Sequence, residues 1–260
     1  MNPPDLITSR DNPLLKRLRL LAQDSTAYRK QGQVWLEGDH LCRALLARGH
    51  RPAIALFTER GWSTAPFDLR QAAEKNHLVP DALMADISGL ESHAGVGFVW
   101  TLPPAVPPRA RVGAVVLDRL QDAGNVGSIL RSAAAFGFGQ VLALKGTAAL
   151  WSPKVVRAGM GAHFALTLVE GVAPDDLAGL DLPLIMTSSH QGDYLHETKL
   201  PWPCAWVLGH EGQGVGRELE QRADRWVRIA QPGGEESLNV AAAAAICLHA
   251  SATSRAHSGA

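Results

Sequence analysis

The chain has 260 residues, of which 46% are apolar, so it is long enough to bury the core of one large or two ordinary globular domains. Its 25 basic and 25 acidic residues cancel, so composition gives no sign of a polyanionic partner. The sequence contains no run of eighteen apolar residues, so it does not predict a membrane span. It also shows no basic segment followed by an apolar one near its start, so it does not predict a secretory signal. A cytoplasmic protein is therefore expected.

The first predicted element is a helix that opens with Asn12 as N-cap and Pro13 as first helical residue, and runs through Leu21. Short strand candidates follow this helix at 33–36, 53–58, 77–79 and 96–100. Helix candidates at 39–48 and 66–76 lie between them. This alternation predicts a small α/β domain over residues 1–101.

The residues before Gly32 carry a local excess of three positive charges. Three aspartates, Asp5, Asp11 and Asp24, oppose six basic residues: Arg10, Lys16, Arg17, Arg19, Arg29 and Lys30. Such a cluster can face the phosphates of a nucleic acid, or it can be an ordinary solvated helix face. From this feature alone the second interpretation is favoured.

A proline-rich connector at 102–109, LPPAVPPR, separates this region from a second predicted domain at 110–253, and residues 254–260 are expected to form a flexible tail. The second domain has apolar strand candidates at 112–117, 140–144, 164–169, 183–187, 204–208 and 226–229. Alternation with helices predicts an α/β fold with a mostly parallel sheet, whose ligand crevice lies beyond the carboxyl ends of the strands. The last helix, predicted from Ser237 to about Ser251, is apolar nearly all round and is expected to be buried, partly against another subunit.

The loop after the first of these strands opens the segment DRLQDAGNVGSILRSAAAFG at 118–137, with a helix predicted from Ser128 to Phe136. Asn125 and Arg131 offer an amide and a fixed cation, and free N–H groups at a helix start favour an anionic ligand. The glycines do not form a dinucleotide fingerprint, because they give only G-x-x-G, and no P-loop lysine follows them.

Two further strand-end loops combine glycines with polar side chains. LGHEGQGVG at 208–216 places Glu211 among four glycines, which suits either a crowded ligand pocket or a glycine-rich turn with a surface glutamate. IAQPGGEESLNV at 229–240 offers Ser237 as a helix N-cap. Asn239 is then expected two residues inside an alanine-rich helix, where its amide needs a hydrogen-bond partner.

Other chemistry finds little support in the sequence. Cys42, Cys204 and Cys247 lie far apart, which predicts buried thiols instead of disulfides or a zinc site. The ten histidines show no metal-ligand spacing, so no metal is expected.

In chain order, NxGxxxR at 125–131, GxExxG at 209–214 and SLN at 237–239 resemble the three motifs of the SpoU or TrmH family of RNA ribose 2′-O-methyltransferases. The intermediate SPKVVRAGMGAHF at 152–164 is also similar to that family, and the resemblance covers residues 110–253. Residues 6 to about 100 more loosely resemble the ribosomal-protein-L30-like RNA-binding domain that precedes the catalytic domain in many rRNA-directed members.

The resemblance implies S-adenosylmethionine as cofactor, a deep trefoil knot in the C-terminal domain and a homodimer formed through the knotted region. It assigns cofactor contacts to Thr187, Gly209, Ile229 and Leu238. It assigns catalysis and substrate positioning to Asn125, Arg131, Glu211, Ser237 and Asn239. The RNA contacts it suggests are Lys16, Arg17, Arg29, Lys30 and Arg157.

The sequence departs from the family pattern in two places. Ala230 stands where the third motif usually has proline, and Ala123 stands where the first motif has proline. The implied activity is methylation of a ribose 2′-hydroxyl in RNA, with 23S ribosomal RNA favoured over transfer RNA. A transfer-RNA enzyme, a non-catalytic RNA-binding protein of the same fold and a base methyltransferase of the wider knotted superfamily remain alternatives.

Overall fold

The computed structural model describes residues 4–90, 92–188, 190–233 and 238–257. The chain divides into two compact units. Unit 1 combines Met1–Pro104 with Trp151–Phe164, and unit 2 combines Ala105–Leu150 with Ala165–Ala260. Unit 1 thus includes a segment that lies inside the predicted 110–253 domain. The functions and limits predicted for the domains stay predictions.

Unit 1 is built around a mixed sheet. Its strands are β1 (Asp5–Leu6), β2 (Gln33–Glu37), β3 (Ile54–Phe57), β4 (Lys75–Leu78) and β5 (Val96–Thr101). Their order is β1-β4-β3-β5-β2, with β5 antiparallel to both β2 and β3 and the other pairs parallel. The helices of this unit are α1 (Pro13–Gln23), α2 (Ala27–Gln31), α3 (Asp39–Ala47), α4 (Glu59–Thr64), α5 (Phe67–Arg70), α6 (Asp81–Ile87) and α8 (Pro153–Gly159), with a 3-10 helix at Ala162–Ala165.

Helix α1 confirms the sequence prediction. The Asn12 side chain accepts a hydrogen bond from the Leu14 N–H at 2.8 Å, and Pro13 is the first helical residue. Its Leu15, Leu18 and Leu21 are all buried in the core of unit 1.

The predicted helix at 66–76 is wrong in extent. Only Phe67–Arg70 is helical, and β4 begins at Lys75. The Asn76 amide donates to the Arg70 carbonyl at 3.2 Å, which satisfies a carbonyl at the end of the short helix and lets the chain turn into the strand.

Unit 2 contains a seven-stranded sheet. Its strands are β6 (Ala114–Leu117), β7 (Gln140–Leu144), β8 (Thr167–Val172), β9 (Leu184–Thr187), β10 (Asp193–Tyr194), β11 (Ala205–Leu208) and β12 (Arg225–Arg228), in the order β10-β12-β9-β11-β6-β7-β8. Every neighbouring pair is parallel, which confirms the predicted α/β class. The helices of this unit are α7 (Ala123–Ala135), α9 (Arg217–Glu220) and α10 (Val240–His257), with 3-10 helices at Pro174–Leu180 and Leu195–Glu197.

Helix α10 packs against α7 and the sheet. Its Ser251 hydroxyl accepts a hydrogen bond at 2.9 Å from the Nε1 of Trp206, a fully buried side chain of β11. The helix begins at Val240, three residues later than predicted. Its Ala244, Cys247 and Leu248 are buried, whereas Ile246 is 41% exposed. Among the residues that the structure describes, no helix is long and apolar enough to span a bilayer.

The three cysteines are free and buried, which confirms their prediction as buried thiols. Burial raises the pKa of Cys42, raises that of Cys204 to about 11 and raises that of Cys247 to about 12. All three therefore stay protonated at neutral pH.

Candidate functional site

The parallel sheet of unit 2 places the carboxyl ends of its strands along one edge, hereafter the carboxyl edge. Three residues predicted to contact the cofactor lie there: Thr187 ends β9, Gly209 follows β11, and Ile229 follows β12. The order β12-β9-β11 makes these strands neighbours, so the three residues share one stretch of the edge. Leu238, the fourth, is 39% exposed and comes just before α10.

Helix α7 starts earlier than predicted, at Ala123 and not at Ser128. The Asp122 carboxylate caps it by accepting the Asn125 N–H at 2.7 Å, so Gly124 and Gly127 belong to the helix and not to the preceding turn. Asn125 therefore stands in the first turn of α7, beyond the end of β6 on the carboxyl edge.

Three of the predicted site residues are joined by hydrogen bonds. The Asn239 Nδ2 donates to the Asn125 Oδ1 at 3.0 Å, and the Asn125 Nδ2 donates to the Glu211 Oε1 at 3.4 Å. Asn125 is thus joined to residues that lie 114 and 86 positions away along the chain. Asn239, Asn125 and Glu211 are hereafter the amide relay.

The direction of the amide relay is set by helix α10. The Asn239 Oδ1 accepts the N–H groups of Ala241 at 2.9 Å and Ala242 at 3.2 Å, so Asn239 is the N-cap of this helix. Its oxygen is thereby committed to the helix, and its amide nitrogen has to face Asn125. Asn125 must then accept with its oxygen, which leaves its Nδ2 to donate to the Glu211 carboxylate.

Asn239 therefore has the partner that the sequence predicted, but its position differs. It caps α10 from outside, whereas the prediction placed it two residues inside the helix with Ser237 as the cap. Ser237 itself lies outside the described residues, so its assigned role stays a prediction.

Glu211 stands at the tip of a tight turn. His210 and Gly214 exchange backbone hydrogen bonds at 3.0 and 2.8 Å, and the His210 Nδ1 accepts the N–H groups of Gly212 and Gln213. A Cβ atom on Gly209 would lie 2.3 Å from the backbone of Gly214, and Gly214 itself has a φ of +67°. Both glycines are thus required by the fold of the turn that presents Glu211.

An ion pair between a buried carboxylate and a half-buried arginine, which the sequence did not predict, fastens this turn to β6. The Asp118 carboxylate, 4% exposed, accepts both the Nε and an Nη of Arg119 and also the Gly216 N–H at 2.8 Å. Arg119 donates further to the Gln213 side chain at 3.1 Å. The hydrogen bonds and then the charge of Asp118 raise the pKa of Arg119. An acid and an arginine side by side after a buried strand are the only signal for this contact in the sequence.

Arg131 lies on α7 but is not part of the amide relay. It is exposed, on the same helix face as Gly124 and Ser128. Among the described residues, no hydrogen bond or ion pair engages its guanidinium group.

The predicted RNA contacts all lie in unit 1: Lys16 and Arg17 on α1, Arg29 and Lys30 on α2, and Arg157 on α8. Several residues of the basic cluster near the N-terminus are already paired with carboxylates, which reduces the charge that the cluster offers to RNA. Lys16 pairs with Asp11, and Arg10 and Arg19 both pair with Asp86. Within the described residues, no three His, Cys, Asp or Glu side chains group as a metal site requires.

Comparison with known proteins gives concordant matches. The model of the SpoU rRNA Methylase family matches residues 113–249. The chain is 34% identical over 254 residues to an uncharacterized tRNA/rRNA methyltransferase of Synechocystis sp., covering 94% of this chain and 92% of the relative. It is 30% identical over 218 residues to the 23S rRNA (guanosine(2553)-2′-O)-methyltransferase of Bacillus subtilis, covering 82% and 86%. An AdoMet-bound rRNA methyltransferase from Sinorhizobium meliloti superposes with a TM-score of 0.80 at 25% identity, covering 97% and 98%.

Proposed function

The chain belongs to the SpoU rRNA methylase family and is an RNA methyltransferase, and we propose that it methylates a ribose 2′-hydroxyl, with 23S ribosomal RNA as the favoured substrate. The observation that carries this proposal is the amide relay. It links one side chain from each of the three sequence motifs at the carboxyl edge of a parallel sheet.

S-adenosylmethionine is the methyl donor, and it supplies a methyl group made electrophilic by the sulfonium charge. The carboxyl edge fits such a ligand. Thr187 and Ile229 are only half-buried, so part of each residue can be reached from outside. At Gly212 a Cβ atom would meet nothing closer than 3.8 Å, so the turn leaves an open face beside Glu211. Thr187, Gly209, Ile229 and Leu238 would hold the cofactor.

The reaction forms a bond between the ribose 2′-oxygen and the methyl carbon as the carbon–sulfur bond breaks, and the hydroxyl proton leaves. Arg131 stabilises the negative charge that develops on the 2′-oxygen and binds the adjacent phosphate. A guanidinium group keeps its proton, so this role suits it better than that of a general base. Because Arg131 is exposed, the released proton passes to water.

The amide relay positions the reacting groups. Asn125 holds the Glu211 carboxylate on the side of the turn that faces α7, and Asn239 fixes the orientation of Asn125. Alignment of this kind is a large part of the catalytic contribution in a displacement reaction. Ser237 is assigned to the same pocket by its motif.

The proposal includes a homodimer formed through the C-terminal domain. The support is the apolar surface of α10, where Ile246 is exposed and Ala242 lies one turn before it. The trefoil knot and a cytoplasmic location are also expectations from the sequence that remain part of the proposal.

The proposed function is tested by incubating the purified protein and labelled S-adenosylmethionine with unmodified 23S rRNA and, separately, with bulk unmodified tRNA. Label transfer to 23S rRNA is expected, with little transfer to tRNA. The Arg131→Ala variant serves as the matched inactive protein. Transfer to tRNA alone would reverse the choice of substrate, and binding of RNA without transfer to either would favour a non-catalytic protein.

A further inference from the structure

A stack of three side chains lies where β10 and β12 reach the carboxyl edge. The Arg228 guanidinium carbon lies 4.0 Å from the centre of the Tyr194 ring, and the ring of His196 lies 5.5 Å from that of Tyr194 at an angle of 37°. Register pairs Tyr194 with Arg228, so the two residues project from the same face of the sheet. Arg228, Tyr194 and His196 are hereafter the edge stack.

The guanidinium group of the edge stack has no competing partner among the described residues. None of them forms a hydrogen bond or an ion pair with Arg228, and its Nε is buried without a hydrogen-bond partner. The Tyr194 ring holds the guanidinium plane by a cation–π contact. Its outer N–H groups are thus positioned and are not used by the described residues, which is the state that favours a bidentate contact with phosphate.

Tyr194 and Arg228 of the edge stack line an open cavity of about 600 Å³, together with Lys199 and Arg225. His196 lies beside this cavity, with its Nε2 3.6 Å from the Oε1 of Glu197. Neither cation is paired with a carboxylate in the described part of the chain; Arg225 donates only to the Lys199 carbonyl, at 2.7 Å. Two exposed acids, Asp193 and Glu197, line the same cavity, so it carries one net positive charge. Phosphate alone is therefore not the best ligand. A nucleotide is better, because its phosphate faces the cations and its base N–H groups face the carboxylates.

The position of the cavity connects it with the proposed reaction. Arg228 directly precedes Ile229, and β12 is three strands from β6, about 14 Å at the usual spacing of strands. An RNA strand whose target ribose lies near Asn125 could therefore reach the edge stack within a few nucleotides.

We propose that the edge stack and its cavity bind an unpaired nucleotide of the RNA substrate that flanks the methylated residue. Arg228, Lys199 and Arg225 contact its phosphates, and the exposed ring of His196 stacks on its base. This inference rests on the proposed function, since it assumes that the substrate is RNA.

The test measures the Kd for an unmodified 23S rRNA transcript at several salt concentrations, together with the Kd for S-adenosylmethionine and the melting temperature. Arg228→Gln is expected to weaken RNA binding about tenfold and to lower the salt dependence by about 0.7 in slope, because one phosphate contact is lost. His196→Ala, which removes an exposed ring, is expected to weaken binding by a similar factor.

A matched variant serves as the control. Arg109→Gln removes an exposed cation near the opposite end of the sheet and should leave RNA binding unchanged. Unchanged RNA affinity in both Arg228→Gln and His196→Ala, with wild-type protein that binds and methylates the RNA, would overturn the site and leave the proposed function intact. Equal losses of RNA affinity, cofactor affinity and melting temperature would show that the stack is only structural. Wild-type protein that binds no RNA would overturn both proposals.

Discussion

Replacing Asn239 by aspartate separates its two roles. The new carboxylate can still accept the N–H groups of Ala241 and Ala242, since aspartate and asparagine are about equally good N-caps. It has no amide nitrogen, however, so it cannot donate to Asn125. If the Asn125 amide rotates to donate to this carboxylate, its oxygen then faces the carboxylate of Glu211. One contact between two acceptors remains in either arrangement.

The substitution should lower both activity and stability. A hydrogen bond to a charged group is worth about 1.5–3 kcal/mol, and partial exposure of this site favours the lower end. At about 1.4 kcal/mol for each factor of ten, Asn239→Asp should lose roughly tenfold in kcat/KM. Its free energy of unfolding should fall by a similar amount, about 1.5 kcal/mol, because the lost hydrogen bond belongs to the folded protein. Asn239→Ala loses the cap as well, and its unfolding free energy should fall by about 1 kcal/mol more.

The assay is methyl transfer to 23S rRNA under kcat/KM conditions, paired with urea denaturation of the same proteins. Glu211→Gln combined with Asn239→Asp should show losses that are less than additive, because both changes act on the amide relay. Full activity of Asn239→Asp would refute a role for the relay in catalysis. Equal destabilisation by aspartate and alanine would refute the assignment of Asn239 as the cap.

Three further predictions concern separate parts of unit 2. Arg131→Ala should abolish methylation while cofactor affinity and melting temperature stay unchanged, because its guanidinium group forms no hydrogen bond or ion pair with the described residues; retained turnover would contradict its role. Ser251→Ala should lower the free energy of unfolding by about 1–3 kcal/mol, since the Trp206 Nε1 loses its acceptor in the core, and urea denaturation showing no change would contradict this. Burial raises the pKa of the Cys247 thiol from 9.0 to about 12, so its contribution to stability is complete below pH 9 and is lost as pH rises towards 12. The free energy of unfolding of the wild type, relative to that of Cys247→Ala, should therefore fall only above pH 9. A difference between the two proteins that does not change with pH would contradict this prediction.

Much of the fold followed from local patterns. The apolar runs of unit 2 predicted strands that the structure places within a few residues of the expected limits, and their alternation with helices predicted the parallel sheet. The parallel sheet in turn brings strand ends to one edge, which is why three loops far apart in the chain supply the residues of one site. Periodicity could not predict the two-residue strand β10, because it is too short to show a pattern.

The details that sequence did not predict depend on long-range contacts. Asp118 accepts a hydrogen bond from the N–H of Gly216, which lies 98 residues further along the chain. No rule of sequence spacing connects these two segments. The start of α10 depends on Asn239, whose oxygen caps the helix while its amide nitrogen finds a partner in Asn125. The helix predicted at 66–76 ends early for a similar reason, since the Asn76 amide donates a hydrogen bond to the Arg70 carbonyl.

The most direct test of the account is to digest 23S rRNA to nucleosides after reaction with the protein and S-adenosylmethionine, and to identify the methylated product by mass spectrometry. The account predicts a nucleoside that carries the added methyl group on its ribose, present with wild-type protein and absent with Arg131→Ala. A methyl group on the base, or equal product from the Arg131→Ala variant, would contradict it.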